Sequence, residues 1–122
     1  MTIDKRAADL LGSPWLPGGR GHGSQAGIDC LGLAMQILDN PPPDVRDADF
    51  EQGELAGKYE PVDGPLEPGD LLLSHSIREG KRIAHLSIVS DVGGWAWTTT
   101  AGTGVIKLRI SSLPKAKPYR LK

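Results

Sequence analysis

The apolar residues of this chain recur first with a helical period and later with the period of β-strands. Near the start, four apolar residues are spaced at i, i+4, i+7 and i+8, a pattern that predicts a short helix ending at Gly12. They are Ile3, Ala7, Leu10 and Leu11. A loop rich in glycine and proline follows over 12–28.

A second helix is predicted to begin at Cys30, with Asp29 as its N-cap or a first-turn residue. Its apolar face comprises Cys30, Leu33, Ala34, Ile37 and Leu38. Asn40 and the prolines at 41–43 end it, because a residue before proline avoids the helical region. Residues 44–68 are acidic and contain several Gly and Pro, which predicts a connection with a weak helical stretch at 47–56.

After residue 69 the period becomes that of strands, predicted at 70–74, 82–91, 95–100, 104–110 and 118–121. His75 and Ser76 are predicted to begin an exposed loop that runs through 78–81, and residues 91–94 a turn. Helices that precede antiparallel strands indicate an α+β fold in which N-terminal helices pack on an antiparallel sheet. A length of 122 residues suits a single domain over 1–122.

Composition and charge narrow the possible partners. The chain is 39% hydrophobic and 24% charged with a net charge of −1, values typical of a globular protein. Residues 39–70 carry ten acidic and two basic side chains, whereas six basic and no acidic ones follow from Val92 onward. Basic residues can contact a polyanion, but no pattern of stacking aromatics accompanies them, so we expect no nucleic-acid partner.

The apolar runs are too short to cross a bilayer, and residues 1–7 lack an apolar signal core. We therefore expect no membrane span, and cytoplasmic synthesis without a signal peptide.

Cys30 is the only cysteine, so it cannot form an internal disulfide. The free N–H groups and dipole of a helix N-terminus lower a thiol pKa and favour the nucleophilic thiolate. The glycine-dense approach over 12–23 predicts that the side chain is accessible. The alternative is a buried structural cysteine, which is the commoner fate of a lone one.

His85 is the candidate general base. It lies in a predicted strand on the face of Ile83, Ser87 and Val89. A histidine pKa lies near neutrality, so the imidazole can take a thiol proton and later return it to a leaving amine. The alternative is a half-buried histidine satisfied by one hydrogen bond. Sequence spacing alone does not bring His85 to Cys30.

Taken in order, several motifs resemble the NlpC/P60 family of cysteine peptidases, especially the short versions found in bacteriophage tail gene clusters. The motifs are LGSPW at 11–15, GIDCLGL at 27–33, YEPV at 59–62, LEPGDLLL at 66–73, HLSIV at 85–89 and GV at 104–105. They cover roughly residues 8–113. The motifs taken together are more specific for this family than any one motif alone.

The resemblance implies a papain-like α+β fold in which a helix carrying the cysteine at its N-terminus packs on the sheet carrying the histidine. It implies cleavage of peptidoglycan stem peptides, most often between D-γ-glutamate and a diamino acid. Cys30 matches the nucleophile and His85 the base. Asp29 matches an aspartate that helps some members bind the free amine of the substrate.

Two positions depart from the family pattern. Trp15 stands where many members have tyrosine, and its indole N–H could replace the lost hydroxyl near the oxyanion. The third polar residue is commonly a histidine, and counting along the next strand gives Thr98 or Trp97. Thr98 could accept a hydrogen bond from the imidazole. Trp97, which shares a strand face with Trp95, either lines a substrate groove or packs on the sheet.

These observations predict a cysteine endopeptidase that hydrolyses peptidoglycan peptides and acts, as a component of a phage tail tip, at the virion tail or host cell wall. Other tail proteins are expected partners. We expect no cofactor and no metal, because Cys30, His22, His75 and His85 lack the close spacing of zinc ligands. Two alternatives stay open: a structural or binding module of a tail assembly, and a cell-wall amidase that uses the same Cys–His pair.

Overall fold

The computed structural model of the chain describes residues 3–16, 19, 27–39, 55–113 and 115–122, with the backbone alone at 55–56, 76–78 and 81–84. The helices in these ranges are α1 (Ile3–Ala8), α2 (Cys30–Ile37), α3 (Leu55–Lys58) and a 3₁₀ helix (Ile110–Ser112). The strands are β1 (Tyr59–Pro61), β2 (Leu71–Arg78), β3 (Lys81–Val89), β4 (Trp95–Thr100), β5 (Gly104–Arg109) and β6 (Lys117–Leu121).

Across the described ranges, the strands form one antiparallel sheet in the order β1-β6-β2-β3-β4-β5. Helix α2 packs on β3 and β4, and α1 packs on α2. The predicted α+β class, with N-terminal helices on an antiparallel sheet, is confirmed.

The two faces of the sheet carry different apolar clusters. Alternate strand residues such as Leu71, Leu86 and Ile88 join the apolar side chains of α2 in the main core. The intervening positions Leu72 and Val89 belong to a smaller cluster on the opposite face. Each strand of the sheet centre is therefore buried on both faces, which explains its nearly continuous apolar sequence.

The β2–β3 hairpin corrects one expectation. His75 and Ser76 do not begin a loop, because β2 continues to Arg78 and pairs with β3 along its whole length. The chain reverses at Glu79 and Gly80, whose φ angles of 52° and 77° are those of a tight type I′ turn. An Asn-Gly or Asp-Gly pair would have signalled this turn, whereas Glu-Gly is a weak sequence signal.

Other boundaries also differ from the prediction. Leu11 is 60% exposed because α1 ends at Ala8, so Leu11 leaves the apolar face of the helix. Helix α2 ends at Ile37, before the prolines. Strand β1 was predicted as part of a connection, whereas β6 was predicted and lies between β1 and β2. Within the predicted weak helix at 47–56, residues 47–54 lie outside the described residues.

An ion pair between a buried carboxylate and a partly exposed guanidinium joins β6 to the start of β2. Asp70, only 3% exposed, accepts hydrogen bonds from Nε and Nη2 of Arg120, each at 2.8 Å. The same carboxylate accepts from the backbone N–H of Glu67 at 2.8 Å, which closes the turn before β2. The hydrogen bond and charge of Asp70 raise the pKa of Arg120. The PGD motif thus joins the C-terminal strand to the sheet centre.

Candidate active site

Asp29 caps the N-terminus of α2. Its backbone is extended, with φ −97° and ψ −177°, and its Oδ1 accepts a hydrogen bond from the N–H of Gly32 at 2.8 Å. This capping makes Cys30 the first helical residue and confirms the predicted N-cap. One oxygen of Asp29 is thereby used by the helix, and its binding of a substrate amine stays a prediction.

Two glycines allow distant backbone segments to pack closely just before α2, and we call this close packing the crossing. The N–H of Asp29 donates to the carbonyl of Gly19 at 3.0 Å. A Cβ on Gly19 would lie 2.5 Å from the carbonyl oxygen of Gly27, and one on Gly27 would lie 2.3 Å from Cβ of Leu16. Both distances are shorter than van der Waals contact, so only glycine fits here. The glycine-dense approach therefore serves close backbone packing at the start of α2.

Cys30 is 5% exposed and belongs to the main core cluster together with Leu86 and Ile88 of β3. The expectation of an accessible thiol is wrong for this conformation, because the first turn of α2 packs directly into the core. The N–H groups of Gly32 and Leu33 in that turn donate to Asp29, and an anion-binding role of the other N–H groups at the helix start stays a prediction.

His85 is held by a hydroxyl of the neighbouring strand. Its Nε2 lies 2.6 Å from Oγ1 of Thr98, and Thr98 is 1% exposed. Burial lowers the pKa of His85 below its ordinary value and so favours the neutral imidazole. Ser87, fully buried, donates a hydrogen bond to the same Oγ1 at 3.1 Å. Sequence counting placed Thr98 here but did not include Ser87.

The backbone ladder between β3 and β4 ends beside these side chains. Backbone pairing of the two strands ends at Ile88 opposite Trp97, before the strands reach His85. At this end Thr99 of β4 donates its hydroxyl to the carbonyl of Ile28, at 3.5 Å, and so contacts the segment that leads into α2. The start of α2 thus lies against the strands where their ladder stops.

Cys30 and His85 approach the sheet from different faces. Strand alternation places His85 on the face of Ser87, whereas Leu86 and Ile88 contact the cluster that contains Cys30. The structure brings His85 to Thr98, and the pairing of Cys30 with His85 stays a prediction.

The tryptophans have mainly packing roles in the structure. Trp97 is 4% exposed, lies in the main core and donates its indole N–H to Asp4 at 2.8 Å. Trp95 is half-buried under the guanidinium of Arg109, 4.9 Å from the ring centre. These contacts match the sheet-packing alternative rather than a substrate groove. Trp15 is half-buried, and its part in an oxyanion site stays a prediction.

Asp4 forms a polar cluster that the sequence did not reveal. Its Oδ1 accepts from Ser90 Oγ at 2.6 Å and from Trp97 Nε1 at 2.8 Å, and its Oδ2 accepts from Lys107 Nζ at 3.1 Å. Burial by itself raises the pKa of Asp4, but these hydrogen bonds outweigh it and lower the pKa from 3.8 to about 2. The cluster attaches α1 to β4, to β5 and to Ser90, which follows β3.

A surface groove of about 420 Å³ lies at the C-terminal end of β3, whereas His85 lies in the middle of that strand. It is lined by Leu66, Pro68, Val89, Ser90, Asp91, Gly93, Gly94 and Ile110. Because it contains none of the predicted site residues, the groove is separate from the candidate active site. In the described part of the chain, no group of three or more His, Cys, Asp or Glu residues is arranged to hold a metal ion.

None of the helices among the described residues has the length and apolar character needed to cross a membrane.

Comparison with known proteins relates the chain to one fold. No family profile and no curated protein sequence matches it. A solved structure does: a protein from Staphylococcus aureus subsp. aureus Mu50 described as similar to lipoprotein, NLP/P60 family, with a TM-score of 0.69 and 21% identity. The match covers 98% of this chain and 40% of the staphylococcal one. The chain therefore has an NlpC/P60-like fold.

Proposed function

We propose that this chain is a cysteine hydrolase of the NlpC/P60 type that cleaves peptide bonds in peptidoglycan. The observation that carries the proposal is the position of Cys30, the first residue of a capped helix, in an NlpC/P60-like fold. The hydrogen bond between His85 and Thr98, the position counted as the third site residue, supports it further.

In this mechanism His85 takes the proton of the Cys30 thiol, and the thiolate attacks the carbonyl carbon of the scissile bond. Backbone N–H groups at the start of α2, with the indole of Trp15, bind the oxyanion. The C–N bond then breaks, a thioester forms, and His85 gives the leaving amine its proton. Water attacks the thioester, His85 takes a proton from it, and the carboxylic acid is released from Cys30.

We further propose that the bond cleaved is the one between D-γ-glutamate and a diamino acid, with the Asp29 carboxylate near the free amine of the peptide. The proposed setting is a phage or prophage tail tip, where other tail proteins are partners. What supports these proposals is the sequence resemblance in the GIDCLGL, LEPGDLLL and HLSIV motifs to the short tail-cluster members of the family.

Two observations favour a second candidate, a structural or binding module with a degraded site. Cys30 is 5% exposed, and the partner of His85 is a threonine rather than an ionisable side chain. A hydroxyl cannot stabilise an imidazolium as a carboxylate does, and loss of an orienting group costs orders of magnitude in rate.

The test is release of soluble muropeptides from isolated cell wall by the purified protein, analysed by mass spectrometry. The hydrolase proposal expects release that Cys30→Ser and His85→Ala each abolish, with new free amines on the diamino acid. Release at the bond between the sugar lactyl group and the peptide would instead identify an amidase. No release by the wild type, with intact binding to the wall, would favour the module.

A further inference from the structure

Three polar side chains on one face of the β3–β4 pair form a chain of hydrogen bonds that runs from Ser87 through Thr98 to His85. Ser87 Oγ donates to Thr98 Oγ1 at 3.1 Å, and Thr98 Oγ1 lies 2.6 Å from His85 Nε2. Ser87 and Thr98 are 0% and 1% exposed. Both hydroxyls are therefore removed from bulk water, and each hydroxyl proton needs an acceptor within the protein.

The position of the Thr98 hydroxyl proton follows from the need of each buried hydroxyl proton for an acceptor. A hydroxyl has one proton, and Oγ1 of Thr98 already accepts from Ser87. Donation to His85 Nε2 satisfies that proton, whereas a bond donated by Nε2–H would use the second lone pair of Oγ1 and leave the Thr98 proton with neither His85 nor Ser87 as its acceptor. A buried donor left without a partner costs about 1–3 kcal/mol. When Thr98 accepts from Ser87 and donates to His85, the two hydrogen bonds also strengthen each other by polarisation.

We infer that Ser87 is a positioning residue that acts through Thr98 to fix neutral His85 as its Nδ1–H tautomer. Nε2 then accepts a hydrogen bond, and Nδ1, the other ring nitrogen, carries the proton. The consequence for catalysis rests on the proposed function: Nδ1 is the nitrogen left for Cys30, and in this tautomer it cannot take the thiol proton. The resting site is therefore held in a low-activity form until the hydrogen bond between Thr98 and His85 reverses, so that Nε2 carries the proton and donates it to Thr98.

The tautomer is measurable without any activity, by ¹⁵N NMR of the imidazole nitrogens at pH 8, where the histidine is neutral. His85→Gln identifies the His85 signals, because the chain also contains His22 and His75. The inference expects an unprotonated Nε2 and a protonated Nδ1 in the wild type. A dominant Nε2–H signal would overturn it, whether or not the protein hydrolyses cell wall.

Variants separate the contributions of the two hydroxyls. Thr98→Asp places an acceptor-only group beside Nε2 and should reverse the tautomer, whereas Thr98→Ser should preserve it. Ser87→Ala should reduce the preference for Nδ1–H roughly two- to five-fold, since the polarising donor is lost. Thr99→Val is the matched control, because Thr99 is equally buried on the same strand but faces the other side.

An unchanged tautomer ratio in folded Ser87→Ala would remove Ser87 from the chain of hydrogen bonds. An equal change in Thr99→Val would show that the shift reports general loosening of β4, and would overturn the assignment as well. If Thr98→Asp does not fold, the wild-type spectrum and the Ser87→Ala spectrum still decide the question.

Discussion

At position 98 a threonine hydroxyl meets the imidazole of His85 at 2.6 Å. This residue can donate or accept, but it carries no charge, so it cannot oppose the burial that lowers the pKa of His85. A carboxylate in its place would accept from Nε2–H and attract the imidazolium. The chemistry at this one position therefore sets the state in which the candidate base rests.

Thr98→Asp is expected to raise the rate of Cys30 alkylation by iodoacetamide near pH 7 by about ten-fold, because a nearby opposite charge raises a histidine pKa by one unit or more. The imidazolium so formed stabilises the thiolate. The rate is measured by mass spectrometry after melting temperatures have been matched. Adding His85→Ala should remove the gain, and a gain that persists without His85 would contradict this explanation.

Asp4 shows how one carboxylate can connect a helix to a sheet. Its hydrogen bonds reach Ser90, Trp97 and Lys107, which lie more than eighty residues away in the sequence. Its side chain is 25% exposed, so solvent screens the interaction only in part. The lowered pKa of Asp4 means that the folded state prefers the charged form.

Asp4→Asn is expected to lower the free energy of unfolding by about 1–2 kcal/mol at pH 7. Because the folded pKa is about 2 and the ordinary value is 3.8, this stabilisation is complete above pH 5 and is lost as the pH falls from about 4 towards 2. Urea unfolding of both proteins at pH 7 and pH 2.5 measures the difference. A difference of equal size at both pH values would show that the charge is not its cause.

At the scale of secondary-structure elements, three contacts stabilise the start of α2. Asp29 caps the helix, Gly19 accepts the hydrogen bond from the Asp29 backbone, and Gly27 lets the chain pass Leu16 at close range. The cap is visible in the sequence as an aspartate before an apolar run. The close packing of Gly19 and Leu16 against Gly27 and Asp29 is not visible in the sequence, because these residues are separated along the chain.

Gly27→Ala is expected to destabilise the protein by about 1–3 kcal/mol, because its Cβ would overlap the side chain of Leu16. Gly57→Ala is the matched control, since a Cβ there meets nothing within 4 Å. Calorimetry gives the melting temperature of each variant. Equal melting temperatures for the two variants would mean that the crossing before α2 adjusts without cost.

At the scale of the whole molecule, the C-terminal strand is an interior strand of the sheet. β6 pairs with β1 on one side and with β2 on the other. Arg120 on β6 forms a two-point hydrogen bond with buried Asp70, next to the start of β2. The end of the chain therefore completes the sheet that carries His85.

Arg120→Gln is expected to lower the melting temperature by several degrees, because it leaves the buried Asp70 carboxylate without its cation. Lys117→Gln on the same strand removes an exposed charge and should have little effect. The double variant Asp70→Asn/Arg120→Gln should be less destabilised than the sum of the single changes. Strict additivity in thermal unfolding would argue against direct coupling.

Most of the fold could be predicted from local patterns. The strand at 95–100 and the turn at 91–94 followed from alternation and from paired glycines, and both are confirmed. The continuation of β2 through His75 was missed, because a polar residue in a strand is stabilised by a partner strand rather than by its own sequence. Strand β1 was missed because three residues give too little periodicity.

The sequence by itself determined the α+β class, the cap at Asp29, the helical position of Cys30 and the motifs that resemble the NlpC/P60 family. Each depends on residues that are close together in the chain. Only the tertiary structure decided that Cys30 is buried, that Ser87 and Thr98 meet His85, and that Asp4 joins α1 to the sheet. Those facts depend on strand register and on contacts between distant segments, which a local pattern does not encode.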